Sequence, residues 1–155
     1  MPPCTPTNVG SSSTLLSLSS MTSTGYTCHC YQWTAPTNGT VKLAFLLRND
    51  PDYTYLDDVS VYNGVTQMLV NGGFETGSLS PWVISYPQGT CGGTHGQVCY
   101  SNPHTGSYDY CDGCNGLADQ VSQSFTATAG NVYIVSFWIG TGQTGSVIST
   151  LVTLQ

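Results

Sequence analysis

Seven cysteines carry the most distinctive chemistry of this chain of 155 residues, and that number favours an oxidising compartment. Cys91 and Cys99 bracket a Gly-rich hairpin, and we expect them to form one disulfide. Cys111 and Cys114 are separated by Asp-Gly only, and we expect them to close a tight loop as a second disulfide. The spacing therefore predicts two local covalent loops in the second half of the chain.

The remaining cysteines, Cys4, Cys28 and Cys30, are an odd set. Cys28 and Cys30 lie on the same face of a predicted strand, and their Cα atoms would be about 6.5–7 Å apart. That distance is at the limit of what a disulfide spans, so one of the three is free or bonds another chain. The alternative is a zinc site, although the paired C-x-x-C spacing of zinc ribbons is missing; its ligands would be Cys28, His29, Cys30, Cys111 and Cys114.

Catalytic chemistry has little support in the sequence. The three histidines (His29, His95, His104) fall in Cys- or Gly-rich segments, and no G-x-S-x-G, H-E-x-x-H or P-loop motif occurs. Glycosidases need two carboxyl groups about 5–9 Å apart. The eight acidic residues fall mostly in predicted turns, where water solvates them. We therefore expect a protein that is not an enzyme.

The charge balance argues against several classes of partner. The formal net charge is -6, and Lys42 and Arg48 are the only basic side chains. Without a basic patch the chain cannot displace counterions from phosphate, so we expect neither nucleic acid nor anionic membranes as partners. No apolar run reaches the roughly 18 residues of a membrane helix, so membrane insertion is not expected.

The first residues show neither the charged start nor the apolar centre of a signal peptide. A mature piece or an internal segment of a secreted or cell-surface protein is therefore expected. The sequon Asn38-Gly39-Thr40 agrees with secretion and predicts glycosylation of Asn38.

Short alternating runs bounded by turn residues predict an all-β protein, an antiparallel β-sandwich of jelly-roll type. Residues 1–13 are rich in Pro, Ser and Thr and are predicted to be an arm, and residues 14–155 are predicted to be a single sandwich. Residues 85–107 are predicted to be a loop. The predicted strands are 14–20, 26–33, 41–48, 55–62, 69–75, 120–128, 132–140 and 147–154.

Three segments resemble carbohydrate-binding modules of the family 4/9/22-like group. NGGFETGSLSPW, at residues 71–82, resembles the opening strand, and LDDVSV, at residues 56–61, resembles the closing strand. DQVSQSFTATAGNVYIVSFWI, at residues 119–139, resembles the middle strands. Placing residues 69–155 before residues 1–68 restores the order of that family over nearly the whole chain, so the chain is expected to be circularly permuted or cut within a repeat.

The resemblance implies a structural calcium ion. In that family the Glu of the opening strand and an Asp of the closing strand help to hold the ion, which corresponds here to Glu75 with Asp57 or Asp58. Because neighbouring side chains of a strand point to opposite faces, we expect only one of the two aspartates to reach it. The backbone near Gly106 and Ser107 would complete the shell of oxygens that Ca²⁺ prefers.

Aromatic side chains are the candidate ligand platform. The alternation of strand 132–140 places Trp138 on the face opposite Phe137, and Trp138 with Tyr108 or Tyr110 is predicted to bind a glycan on an open sheet face. Burial in the core is the alternative for each of them. Trp82 corresponds to a tryptophan that the family uses for packing.

The sequence supports two competing functions. The first is a non-catalytic, extracellular glycan-binding module. The second is a self-assembling subunit of an extracellular filament or sheath with no sugar ligand; ice binding is a more distant third. If Asn63-Gly64 forms a hairpin, the chain closes on itself. If that segment stays extended, strand donation to a neighbour, with Cys4 bonded to Cys28 or Cys30 of the next chain, predicts a filament.

Overall fold

Strands dominate the computed structural model, which describes residues 2–21 and 24–155, and no helix occurs among these residues. The β-branched and aromatic residues that alternate along the chain suit a pleated, half-buried surface. The strands are β1 (Thr7–Gly10), β2 (Thr14–Leu18), β3 (Gly25–Thr34), β4 (Gly39–Asp50), β5 (Thr54–Asn63), β6 (Thr66–Gln67), β7 (Val83–Ser85), β8 (Gly92–Cys99), β9 (Asp109–Asn115), β10 (Asp119–Ala127), β11 (Val132–Thr141) and β12 (Val147–Leu154).

Two sheets pack against each other. One has seven strands in the order β1-β3-β11-β5-β9-β8, with β6 beside β5, and the other has five strands in the order β2-β12-β4-β10-β7. Neighbouring strands are antiparallel, except that β1 pairs with β3 in parallel. The expected all-β antiparallel sandwich is confirmed.

The core lies between the sheets and follows the alternation predicted for β11. Val135, Phe137 and Ile139 are buried, and the Phe137 ring meets Phe45 of β4 edge to face at 5.0 Å between centroids. Trp82 is 4% exposed, so its predicted place in the core is confirmed. The sheet face that bears Trp138 therefore points away from the core.

Two segments differ from the sequence prediction. Residues 69–75, predicted as a strand, form turns, with Asn71 and Phe74 at positive φ. Gly72 lies against β5, and a Cβ atom at this position would overlap the carbonyl oxygen of Val59. Only a glycine therefore lets the chain turn this close to β5. Residues 85–107, predicted as a loop, contain β8. The glycines of this segment have a weak strand preference, so the sequence does not predict the strand, which forms by pairing with β9.

The N-terminal segment is part of the sandwich. Residues 7–10 of the predicted arm form β1 at the edge of the seven-stranded sheet. A disulfide joins Cys4 to Cys28 of β3 within the same chain. Cys4 is therefore bonded internally rather than to a neighbouring molecule, and Cys30, 4% exposed, remains a buried thiol.

The two predicted local disulfides are wrong. Cys91 immediately precedes β8 and Cys99 ends it, so about 26 Å of extended chain separates them. Cys111 and Cys114 are three positions apart on β9 and point to opposite faces. The antiparallel pairing of β8 with β9 instead brings together Cys91 with Cys114 and Cys99 with Cys111, with Cα separations of 5.5 and 5.9 Å.

The junction between the two halves turns back on itself. β6 pairs antiparallel with β5, with Asn63 opposite Thr66, and the tip of this hairpin is Gly64-Val65. Both sheets contain strands from residues 14–68 and from residues 69–155. Each half of the chain therefore contributes strands to both sheets, and the circular permutation stays a prediction.

Candidate functional site

A groove crosses the outer face of the seven-stranded sheet. Its floor is formed by side chains of β5 and β11 that point away from the core, including Ser60, Tyr62, Ser136 and Trp138. The hydroxyl groups of Ser60 and Ser136 are hydrogen-bonded at 2.7 Å. The groove has a section of about 600 Å³ around Trp138 and a section of about 330 Å³ near Pro2, Pro3 and Val65.

His104 closes one side of the groove. Its imidazole stacks on the indole of Trp138, with centroids 3.9 Å apart and planes at 20°. Nδ1 of His104 is 2.7 Å from Oδ2 of Asp58, and the ring of Tyr26 meets the imidazole edge to face at 5.2 Å. The imidazole therefore covers one face of the indole, and the rest of Trp138 lines the groove.

An acidic junction, formed by Asp57, Asp58 and Glu75, lies at this end of the groove. Asp58 has a φ of 49°, and the register of β5 against β11 shifts beside it. Such a bulge reorients side chains, so both aspartates reach the same loop. Asp57 accepts hydrogen bonds from the backbone N–H groups of His104 and Thr105, and Asp58 accepts one from the Thr105 hydroxyl. The expectation that only one aspartate points this way is wrong.

Burial governs the ionisation of Asp57. This side chain is fully buried, and burial raises the pKa of Asp57 to about 6. The backbone N–H groups of Thr105, Asp58 and His104 favour the charged form and limit the rise. Asp57 is therefore a carboxylate whose charge needs stabilisation from its surroundings.

Glu75 is held by the loop that follows His104. Its carboxylate accepts hydrogen bonds from the N–H groups of Ser107, at 3.0 Å, and Tyr108, at 2.9 Å. A Cβ atom on Gly73 would lie 3.6 Å from Oδ1 of Asp58, 3.7 Å from Cγ of Glu75 and 3.9 Å from Oδ1 of Asp57. The absence of a side chain at Gly73 thus leaves a small space that the three acidic residues border.

The three acidic residues offer hard oxygen atoms, the ligand type that Ca²⁺ takes in sets of six to eight. Asp57 and Asp58 are neighbours on β5, and their Oδ1 atoms border the space at Gly73 together with Cγ of Glu75, whose carboxylate faces Ser107 and Tyr108. Ser107 contributes its N–H group to Glu75 and so positions a carboxylate. Asp57, Asp58, Glu75 and Ser107 lie at the same end of the groove, and their role in holding an ion stays a prediction.

Of the three predicted platform aromatics, only Trp138 lines the groove. Tyr110 is fully buried in the core, where its ring contacts Phe74 at 5.9 Å between centroids. Tyr108 packs against the core, and its ring lies over Gly77. Tyr62, 40% exposed, is the second groove aromatic. The sequence could have indicated this position of Tyr62, because it follows Ser60 by two residues on β5 and alternate residues of a strand share a face.

A second polar cluster lies at the junction of β8, β9 and β10. The disulfide of Cys91 and Cys114 is next to His95, whose Nδ1 is 3.5 Å from Sγ of Cys91 and 3.8 Å from Sγ of Cys114. Oδ2 of Asp119 accepts a hydrogen bond from the N–H group of Gly96. The predicted zinc ligands are not together, because Cys28 is bonded to Cys4 and Cys111 to Cys99.

Asp112 and Asp119 form a buried carboxyl pair behind this cluster. Asp112 is 2% exposed and Asp119 is fully buried. Burial, followed by the negative charge of Asp119, raises the pKa of Asp112 to about 8. A proton on Asp112 supplies the donor that two facing carboxylates lack.

Asn38 lies in the exposed connection between β3 and β4, and its Oδ1 accepts a hydrogen bond from the N–H group of Ala129 at 2.8 Å. The predicted glycosylation site is thus on the surface. Within residues 2–21 and 24–155, the structure contains no helix with the length and apolar character needed to cross a membrane.

Neither a protein-family model, nor a curated protein, nor a solved structure matches this chain. The geometry of the groove and of the acidic junction is therefore the basis for the functional assignment.

Proposed function

We propose that this chain is a non-catalytic, extracellular glycan-binding module. The main support for this proposal is the groove on the outer face of the seven-stranded sheet, where Trp138 and Tyr62 flank the hydroxyl groups of Ser60 and Ser136. Sugar rings present apolar C–H faces and polar edges, and aromatic side chains beside hydroxyl groups complement both. The same combination is common in ligand pockets, where an apolar lining carries a few placed polar groups.

The shape and charge of the groove favour a glycan chain over other ligands. Its two sections share Ser60, Tyr62 and Ser136, so they adjoin on the sheet face, as a ligand of linked sugar rings requires. Asp58 and His104 are hydrogen-bonded to each other and give the groove a polar edge at one end. The net charge of -6 disfavours polyanions, and a neutral glycan is therefore the expected ligand class.

A structural calcium ion at the acidic junction is part of this proposal. Asp57, Asp58 and Glu75 would hold it, and the ion would neutralise carboxylates that otherwise repel one another. The loop of residues 104–108 contacts all three acids and carries His104 into the groove. Calcium would thus support the groove without contacting the sugar.

The environment of the chain agrees with an extracellular site. Three disulfides in a β-protein of this size indicate an oxidising compartment. Glycosylation of Asn38, on the exposed β3–β4 connection, is expected in that setting and is tested by mass spectrometry of the secreted protein.

A glycan array followed by calorimetry on the best ligand tests the proposal. We expect Trp138→Ala to weaken binding about tenfold or more, equivalent to about 1.4 kcal/mol. Tyr100→Ala is the matched control, because Tyr100 is 82% exposed and lies outside both groove sections. If no glycan binds at millimolar concentrations, or if both variants bind like the wild type, the groove is not a sugar site.

A further inference from the structure

A cluster of four potential metal ligands lies away from the groove and the acidic junction. Cys91, His95, Cys114 and Asp119 each offer one ligand atom, and these four atoms lie within 4.8 Å of one another. Cys91 precedes β8, Cys114 belongs to β9 and Asp119 begins β10. The ligands therefore come from three adjoining segments of a rigid β-framework.

A bulge in β8 points His95 at the sulfur atoms. The pairing of β8 with β9 shifts register between Thr94 and Gln97, and His95 lies within that irregularity. Bulges commonly re-aim a side chain out of the regular alternation. The imidazole is further held by an edge-to-face contact with Tyr86 at 5.0 Å between centroids.

The separations and the ligand types suit tetrahedral zinc. Zn²⁺ binds Cys sulfur at about 2.3 Å and His nitrogen or carboxylate oxygen at about 2.0–2.2 Å, so its ligand atoms lie roughly 3.3–3.8 Å apart. Nδ1 of His95 already lies 3.5 and 3.8 Å from the two sulfur atoms. The sulfur atoms themselves must separate from bonding distance, which requires that the disulfide be reduced.

We propose that Cys91, His95, Cys114 and Asp119 form a zinc site in the reduced protein, as the alternative to the Cys91–Cys114 disulfide. The disulfide closes the site, because bonded sulfur atoms are poor zinc ligands. The chain would then exchange a covalent cross-link between β8 and β9 for a metal cross-link at the same place.

The exchange balances in electrons and protons. A dithiol reductant is oxidised to its own disulfide and passes two electrons and two protons to the Cys91–Cys114 disulfide, which becomes two thiols. Zn²⁺ then binds the two thiolates and displaces both protons to solvent. His95 coordinates through Nδ1 while its other ring nitrogen keeps a proton.

Surrounding groups support this use of Asp119. The side chain is fully buried, and the hydrogen bond from the Gly96 N–H group to its Oδ2 fixes the carboxylate. The hydroxyl group of Tyr110 is buried without a hydrogen-bond partner and lies against Gly96, where a Cβ atom would overlap it. Oδ1 of Asp119 is likewise buried without a hydrogen-bond partner, so this oxygen is available as a metal ligand.

Cobalt(II) titration of the reduced protein under anaerobic conditions, followed by displacement with Zn²⁺, tests the site. We expect one cobalt per chain with the visible absorption of a tetrahedral ion and a sulfur-to-metal charge-transfer band. The oxidised protein should show neither band. Cobalt affinity should fall at least tenfold in His95→Ala, because one of four ligands is lost.

The matched control is the double variant Cys99→Ser/Cys111→Ser, which removes the other β8–β9 disulfide and leaves the four ligands in place. It should bind cobalt like the reduced wild type. If reduction unfolds the chain, zinc should restore the circular dichroism of the strands. The proposal is overturned if reduced protein neither binds metal nor refolds with zinc. Equal affinity in His95→Ala, or binding lost only in the Cys99/Cys111 double variant, also overturns it.

Discussion

Glu75 is the residue whose role in the acidic junction is easiest to test. Its Cγ atom borders the space at Gly73 together with Asp57 and Asp58, and its carboxylate is held by the N–H groups of Ser107 and Tyr108. An ion that binds only the folded state stabilises it by about 2.7 kcal/mol when present at 100 times its Kd. We therefore expect a chelator to lower the melting temperature of the wild type and to leave that of Glu75→Gln unchanged.

Asp52→Asn is the control for this experiment, because it removes one negative charge at a turn outside the junction. It should keep the sensitivity to chelator. A melting curve of the wild type that does not move with chelator would remove calcium from the proposal and leave the glycan groove to be judged separately.

Asp112 should make the stability of the protein depend on pH. Its pKa in the folded protein, about 8, exceeds the ordinary value of an unfolded Asp, so the folded state binds more protons between about pH 4 and 8. Stability is then greatest below that range and falls as pH rises through it, by at most about 1.4 kcal/mol per pH unit for one proton.

Urea denaturation at several pH values, on the disulfide-bonded protein, measures this slope. Asp112→Asn should flatten it, because an amide keeps the shape of the side chain but does not ionise. Asp52→Asn should leave the slope as in the wild type. A stability that rises between pH 5 and 8 would show that the buried pair is not protonated in the folded protein.

Single residues were predictable from sequence where strand alternation decides their orientation. The burial of Val135, Phe137 and Ile139 and the outward position of Trp138 follow from a period of two. Tyr110 was misplaced, because nothing local shows which face of β9 meets the core. The convergence of Asp57 and Asp58 depends on a bulge, and a bulge depends on the partner strand.

At the scale of elements, strands whose own residues alternate between apolar and polar are predictable from sequence. Strands that form only because a neighbouring strand pairs with them are not. β3, β4, β5, β11 and β12 coincide with predicted strands within a few residues. β8 contains Gly92, Gly93 and Gly96, and its pairing with β9 outweighs their weak strand preference. The disulfides also depend on strand pairing, because the pairing of β8 with β9, and not closeness in sequence, decides which cysteines meet.

The edge strand β1 should depend on the Cys4–Cys28 disulfide. β1 makes only a short parallel pairing with β3, and the disulfide closes a segment with a sequence separation of 24. A loop of that length stabilises the folded state by about 3.5 kcal/mol in the chain-entropy model. We expect Cys4→Ser/Cys28→Ser to lose a sizeable part of that stability in urea denaturation and to show faster hydrogen exchange of residues 7–10.

Hydrogen exchange of β12 provides the internal comparison, because this strand lies within the other sheet. Its amides should remain protected at the level set by global unfolding. Equal protection of β1 with and without the disulfide would show that the strand pairing alone holds the N-terminal segment.

At the scale of the whole molecule, we propose a self-contained chain rather than a filament subunit. Cys4 is bonded within the chain, and the hairpin of β5 and β6 returns residues 69–155 to the strands that precede them. We therefore expect light scattering to give a mass near 16.4 kDa at high protein concentration. Electrophoresis without thiol should show a monomer band, whereas a ladder that collapses on adding thiol would support covalent assembly.

The turn of this hairpin should control whether the chain closes on itself. Gly64 has a φ of 61°, which proline cannot adopt because its ring fixes φ near −65°. Gly64→Pro should therefore open the hairpin and favour exchange of halves between molecules, which size-exclusion chromatography would detect as dimers or larger species. Val65→Ser changes the same turn at a side chain that is 97% exposed, and it should remain monomeric. If Gly64→Pro is also a folded monomer, the hairpin does not decide between closure and strand donation, and the docking of the strands in the two sheets alone keeps the halves together.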